Sequence, residues 1–279
     1  MVDNVLYGIY TWCMDINSVF KRRHTHEPLS QNQRETGKRA LFSGTGRIRI
    51  GFVGLAAGSG TTTLAFAAAE YLAAKYRKRK TISFLELDPR STAPAGRPYD
   101  KIGIDRRFAG RDFIPIYKLA GEGGPMHEVW NIDGGIHWAL RRPGEPPPVP
   151  ADQTLLRLLH NVEGDIIVCD IHAHTTMSPL LADLNRLICI FDPLPSRLLA
   201  SVPAAELCRA AASAGVPVTY VFNKINPGVN LREATRFSGI SDYVPFPAVP
   251  AEAVYSAEYA CRSLASVPEI NNALAELFG

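Results

Sequence analysis

A glycine-rich loop followed by consecutive threonines is the part of this chain whose residue types could do chemistry. It reads G-L-A-A-G-S-G-T-T-T from Gly54 to Thr63, between an apolar run and an alanine-rich run. These flanks predict a strand before the loop and a helix after it. Backbone N–H groups around Gly58 and Gly60 would then face an anion, and the Thr62 hydroxyl could bind Mg²⁺. The loop therefore predicts a phosphate-binding site.

This loop lacks the lysine that such phosphate-binding loops normally carry. The usual G-K-[ST] sequence is replaced by Gly60-Thr61-Thr62. The point charge that would pair with the β- and γ-phosphates is therefore missing. What the loop can still offer is its backbone N–H groups, the partial positive charge of the helix N-terminus and a hydroxyl.

Several apolar runs further along the chain are followed by polar residues at their C-terminal ends. The runs T-I-S-F-L-E-L-D and D-I-I-V-C-D end in Asp88 and Asp170, and a later run leads into Asn223-Lys224. The predicted strands cover residues 81–88, 165–170, 187–191 and 216–222. In an open parallel sheet, ligand groups gather beyond the carboxyl ends of the strands. We therefore expect these polar residues to lie on the same side of the sheet as the loop.

The order of these motifs resembles that of the ParA/MinD group of P-loop ATPases, whose deviant Walker A motif reads K-G-G-x-G-K-[ST]. The resemblance covers about residues 47–279, apart from a poorly matching stretch near residues 90–150. It implies an α/β fold of the SIMIBI-like P-loop NTPase class, with a mostly parallel sheet flanked by helices. On this alignment, the signature lysine of the family falls on Ala56 and its general P-loop lysine falls on Thr61.

The resemblance also implies roles for particular residues. Asp88 would match the carboxylate that positions the attacking water, Asp170 the Walker B aspartate, and Asn223 the side chain that reads the adenine edge. Thr62 and Asp170 would hold Mg²⁺ together with ATP or ADP. The nucleotide-binding residues implied in this way are Gly58, Ser59, Gly60, Thr61, Thr62, Thr63 and Asn223.

Two function classes stay open because both lysines are replaced. In the first, the protein binds ATP or ADP with Mg²⁺ as a switch, and a nucleotide-bound homodimer recruits a protein partner or serves subcellular positioning. In the second, the chain is a pseudo-ATPase scaffold that binds partners without turnover. Each lost lysine removes a donor where transition-state charge develops, which typically costs about 10²–10³ in rate. Ala56 and Thr61 therefore predict nucleotide binding with weak or absent hydrolysis.

Length and composition are typical of one α/β core. The chain has 279 residues, of which 46% are hydrophobic and 20% charged, so it can bury a single large domain. Its net charge of +3 is too small to demand a nucleic-acid partner, and DNA binding is not favoured. Five cysteines at no metal-like spacing indicate reduced thiols in a cytoplasm. Neither a membrane span nor a signal peptide is predicted.

Residues 1–46 are expected to form an amphipathic helix and a linker ahead of a domain that covers residues 47–279. Apolar residues recur at helical spacing between Leu6 and Phe20, and three cations follow at Lys21-Arg22-Arg23. Such a helix could lie on an anionic membrane surface or bind a partner. The simpler alternative is that it packs on the chain's own domain, with its cations near a helix C-terminus.

An irregular insert is expected near residues 90–150, where Gly, Pro, Asp and Arg are frequent. Asp133-Gly134 lies between apolar residues and predicts a hairpin turn. The proline-rich segment 141–150 cannot be a helix. Trp130 and Trp138 in this insert could form a partner surface or cap the sheet, and aromatic residues are core-formers first.

Two further clusters each have two interpretations. Five basic residues within residues 75–80 are expected at the end of the helix after the loop, with DNA or lipid contact as the alternative.

Cys169, His172 and His174 surround Asp170 and could bind a metal. Neighbouring residues of a strand point to opposite faces, so Cys169 and Asp170 should not share a metal ion. The resemblance implies instead that His172 and His174 lie in the loop after the Walker B aspartate, which senses a γ-phosphate.

Overall fold

An eight-stranded sheet forms the centre of the protein. In the computed structural model, which describes residues 46–77, 79–87, 98–123, 131–145, 151–172 and 178–279, the strands have the following bounds. They are β1 Ile48–Gly54, β2 Ile82–Leu87, β3 Asn131–Asp133, β4 Ile136–Ala139, β5 Ile166–His172, β6 Arg186–Phe191, β7 Val218–Ile225 and β8 Val244–Pro247. The spatial order is β3-β4-β2-β5-β1-β6-β7-β8. All neighbours are parallel except β3 and β4, so the predicted mostly parallel α/β fold is confirmed.

Helices connect these strands and cover both faces of the sheet. They are α1 Thr61–Lys75, α2 Pro98–Ile102, α3 Ile104–Arg107, α4 Ile116–Gly121, α5 Ala151–Asn161, α6 Ser178–Ala182, α7 Pro195–Ala200, α8 Val202–Ser213, α9 Leu231–Ser238, α10 Ala251–Tyr259 and α11 Pro268–Phe278. A 3₁₀ turn covers Leu264–Ser266. Within the residues described, no helix has the length and apolar character needed to cross a bilayer.

The alternation of side chains along β1 and its neighbours divides the core into two apolar layers. Ile50 and Phe52 of β1 pack in the layer that contains α1 and α11. Val53 packs in the opposite layer, with the leucines of α5 and with Cys208 of α8. Because both faces are covered, the central strands β2 and β6 are buried along their whole length, as parallel strands in α/β proteins usually are.

The predicted hairpin is formed by β3 and β4, which turn at Gly134 and Gly135 and extend the sheet beyond β2. Its Trp138 is fully buried, and its ring lies 5.8 Å from that of Phe66 and 5.5 Å from that of Phe84. This tryptophan therefore belongs to the core rather than to an exposed surface. Trp130 lies outside the described residues.

The basic segment 75–80 begins at the last residue of α1, as expected. α1 ends at Lys75, whose Nζ donates a hydrogen bond to the Phe278 carbonyl of α11 at 2.9 Å. Lys75 thus joins two helices of one layer. The predicted N-terminal helix and all but the last residue of its linker lie outside the described residues, so the division at residue 46 stays a prediction.

Candidate phosphate-binding site

The glycine-rich loop connects β1 to α1 at the carboxyl end of the sheet. Two of its glycines adopt left-handed backbone conformations, with φ of 75° at Gly58 and 91° at Gly60. Residues with a Cβ seldom adopt these angles, which explains glycine at both positions. Gly60 precedes the first turn of α1, and its carbonyl accepts a hydrogen bond from the Leu64 N–H at 3.0 Å. The predicted strand–loop–helix arrangement is therefore present.

Two hydroxyl groups contact each other at the base of the loop, and one belongs to Thr61, the position of the general P-loop lysine. Thr61 Oγ1 lies 3.2 Å from Ser59 Oγ, and the Ser59 side chain is buried. Both hydroxyls approach Gly54, the last residue of β1, so closely that a Cβ at that position would clash with them. Thr61 thus packs back against the strand and carries no charge towards the mouth of the loop.

A threonine and an aspartate meet beneath the first turn of α1. Thr62 Oγ1 donates a hydrogen bond to Asp170 Oδ2 at 2.7 Å. Asp170 is fully buried on β5, in register with Phe52 of β1 on one side and Glu86 of β2 on the other. Because β5 lies beside β1, residues separated by more than a hundred positions in sequence contact each other here. The structure brings this predicted pair together.

Asn223 contacts the loop directly. Its Nδ2 donates to the Ser59 carbonyl at 2.8 Å, and its Oδ1 accepts from the backbone N–H of Lys224 at 2.9 Å. A Cβ at Gly60 would lie 2.5 Å from Nδ2. The sequence places Asn223 after a strand ending at residue 222, whereas β7 continues to Ile225, so the asparagine lies within the strand. The extra residues continue β7 because Ile225 still pairs with Pro247 of β8, past an irregularity in register.

Two charged residues lie beside the loop: the sequence indicated the position of Lys224 but no role for it, and it did not mark Asp192. The Nζ of Lys224 donates hydrogen bonds to the Gly58 carbonyl at 2.6 Å and to Asp192 Oδ2 at 2.7 Å. Asp192 follows β6, and its Oδ1 also accepts from the Leu194 N–H at 3.1 Å. A signal existed, since each of these residues lies at the end of an apolar strand. Charged residues are also common at strand ends that bind no ligand, and neither residue belongs to a recognised phosphate-binding motif.

Two of the residues that the sequence singled out, Asp88 and His174, lie outside the described residues. His172 was expected in a loop, but its backbone forms the last residue of β5, because it still pairs with Gly54 of β1. Within the described part of the chain, no group of three or more His, Cys, Asp or Glu residues could hold a metal ion. Cys169 packs in the apolar layer with Ile167, while its neighbour Asp170 contacts Thr62. These two residues therefore face opposite sides of β5, as expected.

Burial makes Cys169 a structural thiol, because it raises the pKa of that thiol well above its ordinary value. We expect Cys169 to resist alkylation in the folded protein, while the partly exposed Cys261 is labelled. Peptide mass spectrometry after iodoacetamide treatment under mildly alkaline conditions measures this, with unfolded protein as the control in which both cysteines react. Rapid labelling of native Cys169 would contradict its placement in the core.

These features define the class of the fold. A parallel strand, a glycine-rich loop, a helix N-terminus and a Thr–Asp pair beneath it together form the arrangement of a P-loop NTPase. Neither a protein-family model nor a curated protein sequence matches the chain. Solved structures, however, match most of it.

The similar structures are ATPases of ParA and MinD type. A ParA family ATPase from Chlorobium tepidum TLS has a TM-score of 0.65 at 13% identity, over 84% of this chain and 98% of that one. The septum site-determining protein MinD from Pyrococcus horikoshii OT3, complexed with Mg-ADP, has a TM-score of 0.63 at 13% identity, over 84% and 95%. The MinC:MinD complex of Aquifex aeolicus has a TM-score of 0.60 at 14% identity, over 83% and 96%. The chain therefore has the ParA/MinD fold.

Proposed function

We propose that the protein binds ATP or ADP with Mg²⁺ at the Gly54–Thr63 loop and acts as a nucleotide-dependent switch with weak or absent hydrolysis. The observation that carries this proposal is the 2.7 Å hydrogen bond between Thr62 and Asp170 at the N-terminus of α1. A hydroxyl and a carboxylate in this position are the oxygen donors that Mg²⁺ prefers.

The loop itself suits phosphate. Left-handed angles at Gly58 and Gly60 turn the backbone so that successive N–H groups can converge on an anion, and α1 adds the partial positive charge of its N-terminus. Ser59 and Thr61 place hydroxyls at the base of the loop. When bound, Mg²⁺ would neutralise part of the phosphate charge. Thr62 and Asp170 are the described residues that would hold it.

Calorimetry with ADP and with ATP, each with and without Mg²⁺, tests the proposal. We expect weak binding that Mg²⁺ strengthens, and we expect Asp170→Asn to reduce the Mg²⁺-dependent part of the affinity by about 10–100-fold, the usual range for residues that support a metal site. Asp152→Asn is the matched control, because it removes an exposed carboxylate from α5. Failure to detect either nucleotide at millimolar concentration would disprove the switch.

Turnover should be close to the uncatalysed background. The two positions that carry lysine in ParA/MinD proteins are Ala56 and Thr61 here, and Thr61 packs against Gly54. Losing donors of this type costs about 10²–10³ in rate for each. We expect phosphate release from ATP to be little changed by Asp88→Ala. Robust release that this substitution removes would show instead that the site is an active ATPase.

The second candidate function is the pseudo-ATPase scaffold. It is favoured by the hydrogen bonds from Asn223 to Ser59 and from Lys224 to Gly58, which hold the loop through the protein's own side chains. A loop held in this way can keep its shape without nucleotide. Under this function, variants that abolish nucleotide binding would leave partner binding intact.

The proposed switch also implies that the protein binds a protein partner. The MinD of Aquifex aeolicus forms a complex with MinC, so a protein of this fold can present a surface to another protein. We propose a cytoplasmic protein that recruits a protein partner, with a homodimer as the nucleotide-bound form. Attachment to a membrane surface through residues 1–46 is the further option that the sequence predicts, and DNA binding is not favoured.

A further inference from the structure

We propose that Lys224 supplies positive charge to the bound phosphates in place of the two missing P-loop lysines. This inference rests on the proposed nucleotide site and names the residue that provides its cation. Thr61 cannot do so, because its hydroxyl is uncharged and packs against Gly54 and Ser59.

The ammonium group of Lys224 lies beside the loop. Lys224 Nζ lies 2.6 Å from the carbonyl of Gly58, in the middle of the loop. Its side chain is 45% exposed, so the group is open to a ligand that enters from solvent. A lysine ammonium has three N–H donors, and the contacts with Gly58 and Asp192 use two of them. The third donor is available to a phosphate oxygen.

The backbone at Lys224 has an unusual conformation. Lys224 has a φ of 63°, and among the described residues Cys261 is the one other non-glycine with a positive φ. The pairing of β7 with β8 shifts register between Phe222 and Ile225, around this residue. Bulges of this kind re-aim a side chain, and residues held in unfavourable angles concentrate at functional sites. Here the irregularity turns Lys224 towards the loop.

A buried carboxylate is paired with the Lys224 ammonium. Asp192 is almost fully buried, and its two oxygens contact Lys224 and the N–H of Leu194. It therefore neutralises part of the charge of the ammonium, which is also held beside the loop by the carbonyl of Gly58. The exposed Arg197 of α7 adds a second cation, with Nη2 3.9 Å from the position of a Cβ at Gly58. Both cations lie beside the same glycine.

A competing role for Lys224 is that it only clamps the loop through Asp192 and Gly58. The two roles predict different effects of Asp192→Asn on ADP affinity. If the ammonium contacts phosphate, Asp192→Asn removes a competing anion, and ADP affinity should stay the same or rise. If the lysine is only a clamp, Asp192→Asn breaks the ion pair, and affinity should fall as it does when the lysine is removed. Asparagine keeps the oxygen that accepts from Leu194, so the local turn is preserved.

Calorimetry with ADP on the full-length chain tests this, with thermal unfolding of every variant alongside. We expect Lys224→Met to weaken ADP binding about 10–100-fold, the range for losing a charge-assisted hydrogen bond. Lys224→Gln, which keeps a donor for Gly58 but no charge, should lose nearly as much and serves if the methionine variant does not fold. Lys224→Arg should recover most of the affinity. Lys118→Met is the control, since it removes an exposed cation on α4.

The possible failures are distinct. Unchanged ADP affinity in Lys224→Gln, or equal losses in Lys224→Met and Asp192→Asn, would overturn the role of Lys224 and leave the nucleotide site standing. If the unsubstituted protein binds no ADP, the proposed function fails, and this inference fails with it.

Discussion

Replacing Gly60 by valine is expected to abolish nucleotide binding. Gly60 has a φ of 91°, an angle at which a β-branched residue is a severe outlier. A Cβ there would also lie 2.5 Å from Nδ2 of Asn223, the atom that holds the Ser59 carbonyl. The side chain would thus displace the loop and block the approach of phosphate to its backbone. We expect ADP affinity to fall by more than about 100-fold, or roughly 2.7 kcal/mol.

The matched control for this experiment is Gly215→Val. Gly215 has a similar φ of 95°, but a Cβ there meets nothing within 4 Å. It follows α8, so this variant carries comparable backbone strain without a contact at the loop. Calorimetry should show normal ADP affinity for the control, and circular dichroism should show that both variants are folded. Equal affinities for the two variants would mean that the loop does not bind the phosphates.

Replacing Trp138 by alanine is expected to have the largest effect on stability. The ring is fully buried in contact with Phe66 and Phe84, and its Nε1 donates to the Asp133 carbonyl at 3.1 Å. The Arg107 guanidinium also lies over the ring, 5.4 Å from its centre. Removing a buried aromatic side chain of this size costs about 3–5 kcal/mol. That is a large part of the roughly 5–15 kcal/mol that stabilises a typical domain.

Urea unfolding measures this effect. Ile132→Ala in the same hairpin is the control, because Ile132 is 48% exposed and its loss should change the free energy of unfolding by no more than about 0.5 kcal/mol. Trp138→Phe should lie between the two, since it keeps most of the apolar volume and loses the hydrogen bond. A loss below about 1 kcal/mol for Trp138→Ala would show that the hairpin is peripheral to the core.

The central strands could be predicted because their pattern is local. Continuous apolar runs bounded by polar residues are typical of parallel strands covered on both faces, and β2, β5 and β6 match the predictions within two residues at each end. β7 matched less well. Its end depends on pairing with β8 and on the backbone at Lys224, neither of which a run of apolar residues records.

The candidate site likewise contains residues that the sequence identified and residues that only the tertiary structure brought together. The sequence by itself determined the glycine loop and the absence of a lysine at Ala56 and Thr61, because these are properties of the chain. The pairing of Thr62 with Asp170 was implied by the resemblance to ParA/MinD proteins. Only the tertiary structure decided that Lys224 and Asp192 lie beside Gly58. β7 and β1 are not neighbours in the sheet, and β6 lies between them. Contacts between residues as distant in sequence as Gly58 and Lys224 depend on the order of the strands and on one irregular backbone angle, which no local pattern encodes.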